Sequence, residues 1–384
     1  MNAMRADTNS GIAEMFAELD RFANVDRVLG DAVKNHAFPG CAFGVLAAGE
    51  VVLEDAIGRF TYEDESPLVE PHTVFDVASI TKVVSTTAVA MLLYQRGVLD
   101  LDMPVGELLP GFVVGRESAR LARQVTLRHL LAHNSGLPGY VEFFRTVSTP
   151  AELYRACLEL PIEATPGERT EYSDPGFILL GKALEVLTRE DMAASARKHV
   201  FEPLGLTATQ FNPASEQRPQ IPPTEIDNQF RRRRIQGEVQ DENASVLHGV
   251  AGHAGLFSNV PDLLRFAGEI LAGYRNVRGE SNSPLFTQDT IECFALSQGP
   301  EGSSRALGWD TPSQESSAGH HFSANSIGHL GFSGCSLWID LDAAVAAVLL
   351  TNRTWPDRQS QLIKQVRPAF HDAVREALSG QQAL

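Results

Sequence analysis

The chain is short of cysteine, of basic charge and of long apolar runs, and each shortage removes a class of protein. Its 384 residues include four cysteines, Cys41, Cys157, Cys293 and Cys335. They lie far apart with no Cys-x-x-Cys pair, the spacing of neither a zinc site nor a secreted disulfide framework. They read as free thiols of a reducing compartment. Lys and Arg number 32 against 48 Asp and Glu, a formal net charge of −16, and such a surface repels phosphate backbones and anionic headgroups. Neither nucleic acid nor membrane is an expected partner. The stretch from Met1 to Asp20 is broken by Arg5, Asp7, Glu14 and Glu18 and offers no apolar segment of the kind that export machinery recognises. The longest apolar run, Val83 to Leu93, falls short of the roughly 20 residues of a spanning helix. The expectation is a soluble, cytoplasmic protein.

Several motifs are also missing. There is no Gly-x-Ser-x-Gly elbow and no Gly-x-Gly-x-x-Gly fingerprint, which removes the common alternative serine hydrolase fold and dinucleotide binding. The run Gly176 to Ala183 only approaches a P-loop: it lacks the Ser or Thr that holds magnesium, and its core is apolar helix. His248 and His253 have no third ligand at helix or hairpin spacing. No metal and no cofactor are expected.

What is present begins with strands. Residues 41 to 48 and 51 to 57, joined at Gly49-Glu50, read as a hairpin. A second pair, 334 to 340 and 343 to 351, comes late and is followed by an amphipathic stretch near 357 to 378. The middle is helical, with a capping box at Thr149-Pro150-Ala151-Glu152 and a helix start at Asn259-Val260-Pro261-Asp262. Polar, turn-rich loops are expected at 213 to 225, 275 to 284 and 311 to 326. Strands, then helices, then strands predict an α/β (α+β) protein. One domain, built from 21–97 and 296–384, carries the sheet; 98–295 is a mostly helical insertion, with a ligand cleft at the junction.

The chemistry concentrates at Phe75-Asp76-Val77-Ala78-Ser79-Ile80-Thr81-Lys82. Three residues apart on a helix, Ser79 and Lys82 share a face. The residues that follow are apolar or small all round, so that Lys82 is desolvated, its ammonium disfavoured, and its amine able to take the Ser79 proton near neutral pH. A second Ser-x-x-Lys, Ser195 to Lys198, lies in a polar run where the lysine is solvated and charged. It offers no activated base. Two more elements follow in order: Thr165 to Asp174, which holds Tyr172-Ser173-Asp174 after a Pro-Gly turn, and Gly328-His329-Leu330-Gly331-Phe332-Ser333-Gly334 before a late strand.

In this order the motifs resemble the serine beta-lactamase-like hydrolases, a group of class C beta-lactamases, D-Ala-D-Ala carboxypeptidases and family VIII esterases. The resemblance runs from about residue 25 to about residue 375, and includes Leu127 to Pro138, Phe201 to Leu206, and Asp241 to Ser258. It implies a beta-lactamase-like antiparallel sheet flanked by helices. It also implies that Ser79 is acylated, that Lys82 and Tyr172 share the proton transfers, and that the backbone N–H groups of Ser79 and Phe332 form the oxyanion hole. His329, Leu330, Gly331 and Asp174 are the implied substrate-binding residues, Gly331 letting the backbone approach the acyl group. Asp174 stands where Asn is usual. It reads as a helix N-cap before Pro175, and if it also reaches Lys82 it favours the ammonium and shifts the base role to Tyr172. His329 stands where Lys is common; a mostly neutral imidazole holds a carboxylate less well, which tilts the substrate toward uncharged esters.

The expected function is a carboxylesterase acting on short-chain acyl esters, with a small-molecule ester or amide as its partner. Alternatives are a beta-lactamase or D-Ala-D-Ala carboxypeptidase, an acyltransferase using the same residues, and a catalytically silent binding protein. His133 and His253 are read as backbone anchors, and Arg231 to Arg234 as a solvated basic loop. Oligomeric state is left open.

Overall fold

Apolar alternation decides the central sheet. The computed structural model describes residues 21–276 and 284–379. Strands β1 (Gly40–Ala47) and β2 (Glu50–Gly58) form the early hairpin, and β8 (Ser326–Leu330), β9 (Ser336–Asp340) and β10 (Val345–Thr351) come from the far end. Their order is β2-β1-β10-β9-β8, antiparallel at every pairing. Cys41 faces Thr351 and Ala47 faces Val345, so the two ends of the chain meet at the centre of the sheet.

The period of two along a strand sends alternate side chains to opposite faces. Phe43 and Val45 join Ala347 and Leu349 in one core, with Val25 and Leu29 of α1 (Ala23–Lys34) and Phe370 and Val374 of α6 (Ile363–Ser379). Ala42 and Leu46 join Val348 and Leu350 in a larger core on the other face. That face is covered by α5 (Val260–Tyr274), which lies within the stretch read as the helical insertion and starts at the expected Asn259 cap. Gly44 permits the approach, because a Cβ there would sit 2.5 Å from a Val260 methyl.

The helical part holds α2 (Ala88–Gln95), α3 (Pro150–Glu159) with the full Thr149 capping box, and α4 (Asp174–Thr188). All of the P-loop near miss lies within α4. A small sheet of β3 (Phe75–Asp76), β4 (Gln210–Phe211) and β7 (Leu256–Ser258), in the order β3-β7-β4, leads into Ser79. Two strands stand where loops were expected: β5 (Pro223–Asp227) pairs with β6 (Arg233–Gln236). The basic run is not simply a solvated loop either. The Arg231 side chain is 9% exposed and donates to Asp227 and to the carbonyls of Val239 and Gln240, while Arg233 pairs with Glu238. Most of the expected loop at 275 to 284 lies outside the described residues. Among the described residues, no helix is long and apolar enough to cross a membrane.

Candidate active site

Asp76 begins the site. Fully buried at the end of β3, its carboxylate accepts the backbone N–H of Ala78 (2.8 Å) and of Gln240 (2.7 Å). Burial pushes its carboxyl up to about 6. The bond to Ala78 ends the strand and starts the tight turn Ala78–Ile80 that carries Ser79. A π-turn, Lys82–Thr87, runs from there into α2, and its side chains are all buried.

Lys82 is entirely enclosed, and its ammonium meets three acceptors: Asp174 at 2.7 Å, Ser79 Oγ at 3.0 Å and the His253 carbonyl at 3.0 Å. Burial alone would depress its pKa, but the negative charge of Asp174 and the neighbouring Tyr172 outweigh burial and raise it. This corrects the expectation of a neutral amine at Lys82. Asp174 is free for the task because it is not the cap. Ser173 caps α4, its hydroxyl accepting the Gly176 N–H, and Asp174 is the first helical residue. Tyr172 packs over Lys82, with Nζ 4.8 Å from the ring centroid. Burial raises its phenol pKa, against the pull of the Lys82 ammonium.

Of the two histidines read as backbone anchors, His133 has its ring on a backbone N–H, whereas the ring of His253 meets a carboxylate. Nδ1 of His133 accepts the Ser173 N–H (2.9 Å), and its ring lies 4.5 Å from that of Tyr172 and 4.8 Å from that of Phe177. Burial takes its pKa far down, and it stays neutral. His253 lends Lys82 its carbonyl and sets Nε2 3.0 Å from Asp241. Ser195, in the second Ser-x-x-Lys, is buried rather than exposed, and Lys198 is solvated and paired with Glu190.

His329, one residue before the end of β8, sets Nδ1 2.8 Å from the Leu330 carbonyl. That bond makes Nδ1 the protonated nitrogen, leaving Nε2 a lone-pair acceptor. Burial and then the Lys82 charge depress its pKa far below the usual histidine value. It is a neutral group at this position. The loop from Gly331 to Gly334 lies against the Ser79 turn. A Cβ at Gly331 would meet the Val77 carbonyl at 2.5 Å, so this glycine lets the loop approach the turn that carries Ser79, where the sequence pointed to the acyl group. Among the described residues, the N–H groups of Ser79 and Phe332 have no acceptor. Ser79, Tyr172, Asp174, His329, Leu330, Gly331 and Phe332 all line one cavity of about 770 Å³, and Lys82 lies beneath its floor.

A model of the beta-lactamase family matches residues 25–367. The chain belongs to that family. An N-acetylmuramyl-L-alanine amidase of Bacillus subtilis is 31% identical over 355 residues, covering 82% of this chain and 77% of the relative. Among solved structures, EstCE1, a hydrolase with promiscuous acyltransferase activity, superposes with a TM-score of 0.72 at 22% identity, covering 94% of this chain and 100% of that one. A class C beta-lactamase from Rhodobacter sphaeroides gives 0.67 at 18% identity, covering 94% and 99%. At those identities the structures establish the shared fold. The beta-lactamase family to which this chain belongs is one of serine hydrolases.

Sequence reasoning missed two residues that shape this beta-lactamase family site. Arg367 of α6 is buried and donates to the carbonyls of Gly331 (2.5 Å), Cys335 (2.8 Å) and Gly334 (3.2 Å). Arg353 donates to the Phe332 carbonyl at 2.8 Å, and its guanidinium lies 4.4 Å from the Phe332 ring centroid. Together they brace the loop that presents the Phe332 N–H.

Proposed function

We propose that this chain is a serine hydrolase that cleaves an ester or amide through an acyl-enzyme on Ser79. The observation that carries this reading is the buried chain Asp174–Lys82–Ser79, closed over by Tyr172 at the base of a roomy cavity. With all three ammonium protons donated, Lys82 acts as the fixed charge, and the Lys82–Tyr172 pair becomes a base only after shedding a proton. Tyr172 then takes the Ser79 proton as Oγ attacks the acyl carbon, and returns it to the departing alcohol or amine. The unpaired N–H groups of Ser79 and Phe332 receive the charge on the carbonyl oxygen. Water repeats the sequence to release the acid.

Within this class, carboxylesterase activity is supported by His329, a neutral group where a lysine cation would favour anionic beta-lactams. Amide hydrolysis is the second reading. It is supported by a cavity wider than a short acyl chain requires, by the charged residues Glu142, Glu242, Arg305 and Arg358 on its lining, and by the B. subtilis amidase. The test compares initial rates on p-nitrophenyl acetate and butyrate, nitrocefin and N-acetylmuramyl-L-alanine, for wild type and Ser79→Ala, with intact-mass detection of the acyl-enzyme. Turnover and a mass adduct that both vanish in Ser79→Ala are the expected result, and the preferred substrate selects the esterase or amidase reading. Unchanged turnover in Ser79→Ala would remove Ser79 from the reaction.

A further inference from the structure

One charged group on the cavity wall has no part in this chemistry. Arg305 is bridged antiparallel to Asp310, which is bridged in turn to Gly328 of β8, so its backbone lies one segment out from the sheet edge. Its guanidinium carbon lies 5.0 Å from the Tyr172 ring centroid, and its side chain is 21% exposed. The charge reaches the site, since it helps to depress both His329 and His133.

Among the described residues, the Arg305 guanidinium donates no hydrogen bond. Asp310 faces it with Oδ2 at 3.8 Å, a charge pairing beyond hydrogen-bond reach, while its Oδ1 accepts from the Ser304 hydroxyl and the Thr311 N–H. The other arginines of the lining are committed: Arg353 and Arg367 to backbone carbonyls, Arg358 to Glu225 and Glu242. Lys364 also lines the cavity but is exposed, so its ammonium is hydrated.

A guanidinium that is four-fifths covered and, among the described residues, makes no hydrogen bond has donors to spare, and a planar fork of N–H donors is matched best by a carboxylate. The Tyr172 ring, within cation–π reach, holds that fork at the site. The remaining acids of the lining, Glu142, Asp174, Asp241 and Glu242, repel an anion and so restrict where it can settle. We propose that Arg305 binds a carboxylate of the substrate, which makes the enzyme selective for esters or amides carrying a free carboxylate near the scissile bond. His329 withholds a cation from one side of Tyr172, and Arg305 supplies one from the segment bridged to Asp310. This inference rests on the Ser79 reading above.

Two substrate pairs test it, each a carboxylate beside its methyl ester: p-nitrophenyl adipate for the acyl side, and 4-acetoxybenzoate for the alcohol side. The quantity read is the ratio of kcat/KM, charged over neutral, in wild type, Arg305→Met and Arg305→Lys. Because Arg305 touches Tyr172, absolute rates fall in either variant, and the ratio separates that loss from recognition. In at least one pair, Arg305→Met lowers the ratio on the order of tenfold to a hundredfold, the range for losing a hydrogen bond to a charged group. Arg305→Lys recovers part of it.

Calorimetric Kd values for the four compounds on Ser79→Ala, with and without Arg305→Met, read the contact without turnover. The affinity lost should again be confined to the carboxylates. Equal ratios and equal Kd values in wild type and Arg305→Met would overturn the proposal. Full turnover in Ser79→Ala would overturn the serine mechanism instead, with the Kd comparison still deciding on Arg305.

Discussion

Lys82 offers three N–H donors to three acceptors, and that saturation governs how the site responds to pH. Asp174 raises the Lys82 pKa and burial raises that of Tyr172. The pair therefore releases its catalytic proton on the alkaline side, and kcat/KM is expected to climb from neutral into alkaline pH. Asp174→Asn keeps a hydrogen-bond acceptor but removes the charge that holds the ammonium, so the acid limb should move to lower pH, by about 1–3 units. A limb that stays in place would show that Asp174 does not set the charge on Lys82. Asp76 gives a second test, on stability. Its folded pKa of about 6 lies above the ordinary 3.8. Its contribution is thus present below about pH 3.8 and is lost as pH rises through about 6. Asp76→Asn does not ionise, so its stability relative to wild type should improve between pH 4 and pH 7 by about 2 kcal/mol. Urea unfolding at the two pH values measures this. Ser79, Lys82, Tyr172 and Asp174 were legible because their spacing is local and their order distinctive. Arg305 was not, since one arginine in a polar segment gives no sign of a missing partner.

At the scale of elements, the loop after β8 depends on a helix that begins about thirty residues later in the chain. Arg367 holds three of that loop's carbonyls and has no carboxylate of its own. Arg367→Met should lower kcat at least tenfold with a smaller change in KM, because only the transition state needs the Phe332 N–H. Arg367→Lys, which keeps a donor, should recover some of the loss. Equal changes in kcat and KM would make Arg367 a support for the fold and not for the hole. Gly331→Ala should act from the other side, its Cβ forcing the loop off the Val77 carbonyl. Four of the five strands of the central sheet, β1, β2, β9 and β10, and the capped helices were readable from periodicity and from Thr149 and Asn259, whereas β8 was not. Arg367 had a signal as well. It falls on the apolar stripe Ile363, Arg367, Phe370, Val374, all buried, and a charged residue on such a stripe requires partners. The exchange of capping roles between Ser173 and Asp174 was harder to see, because both residue types favour the N-cap and only the tertiary pull of Lys82 separates them.

The whole molecule is closed by the pairing of β1 with β10, which joins residues 41–47 to 345–351. Contacts at such separation form late in folding, because the loop-closure entropy must be met before they contribute. A fragment ending near residue 300 leaves β1 without its central partner and both sheet cores open. It is expected to aggregate or to lack slow-exchanging amides in β1, which hydrogen exchange on the fragment and the full chain measures. The surface charge gives a simpler prediction: with a net charge of −16 the protein should pass through a heparin column at low salt without retention.

The same closure orders events on the ribosome. Ser79 and Lys82 are synthesised early, Tyr172 and Asp174 next, and the Phe332 loop with its Arg367 brace only near the end. On the proposed Ser79 mechanism, a nascent chain carries its nucleophile long before it has an oxyanion hole, and should not acylate itself on cellular esters until α6 docks.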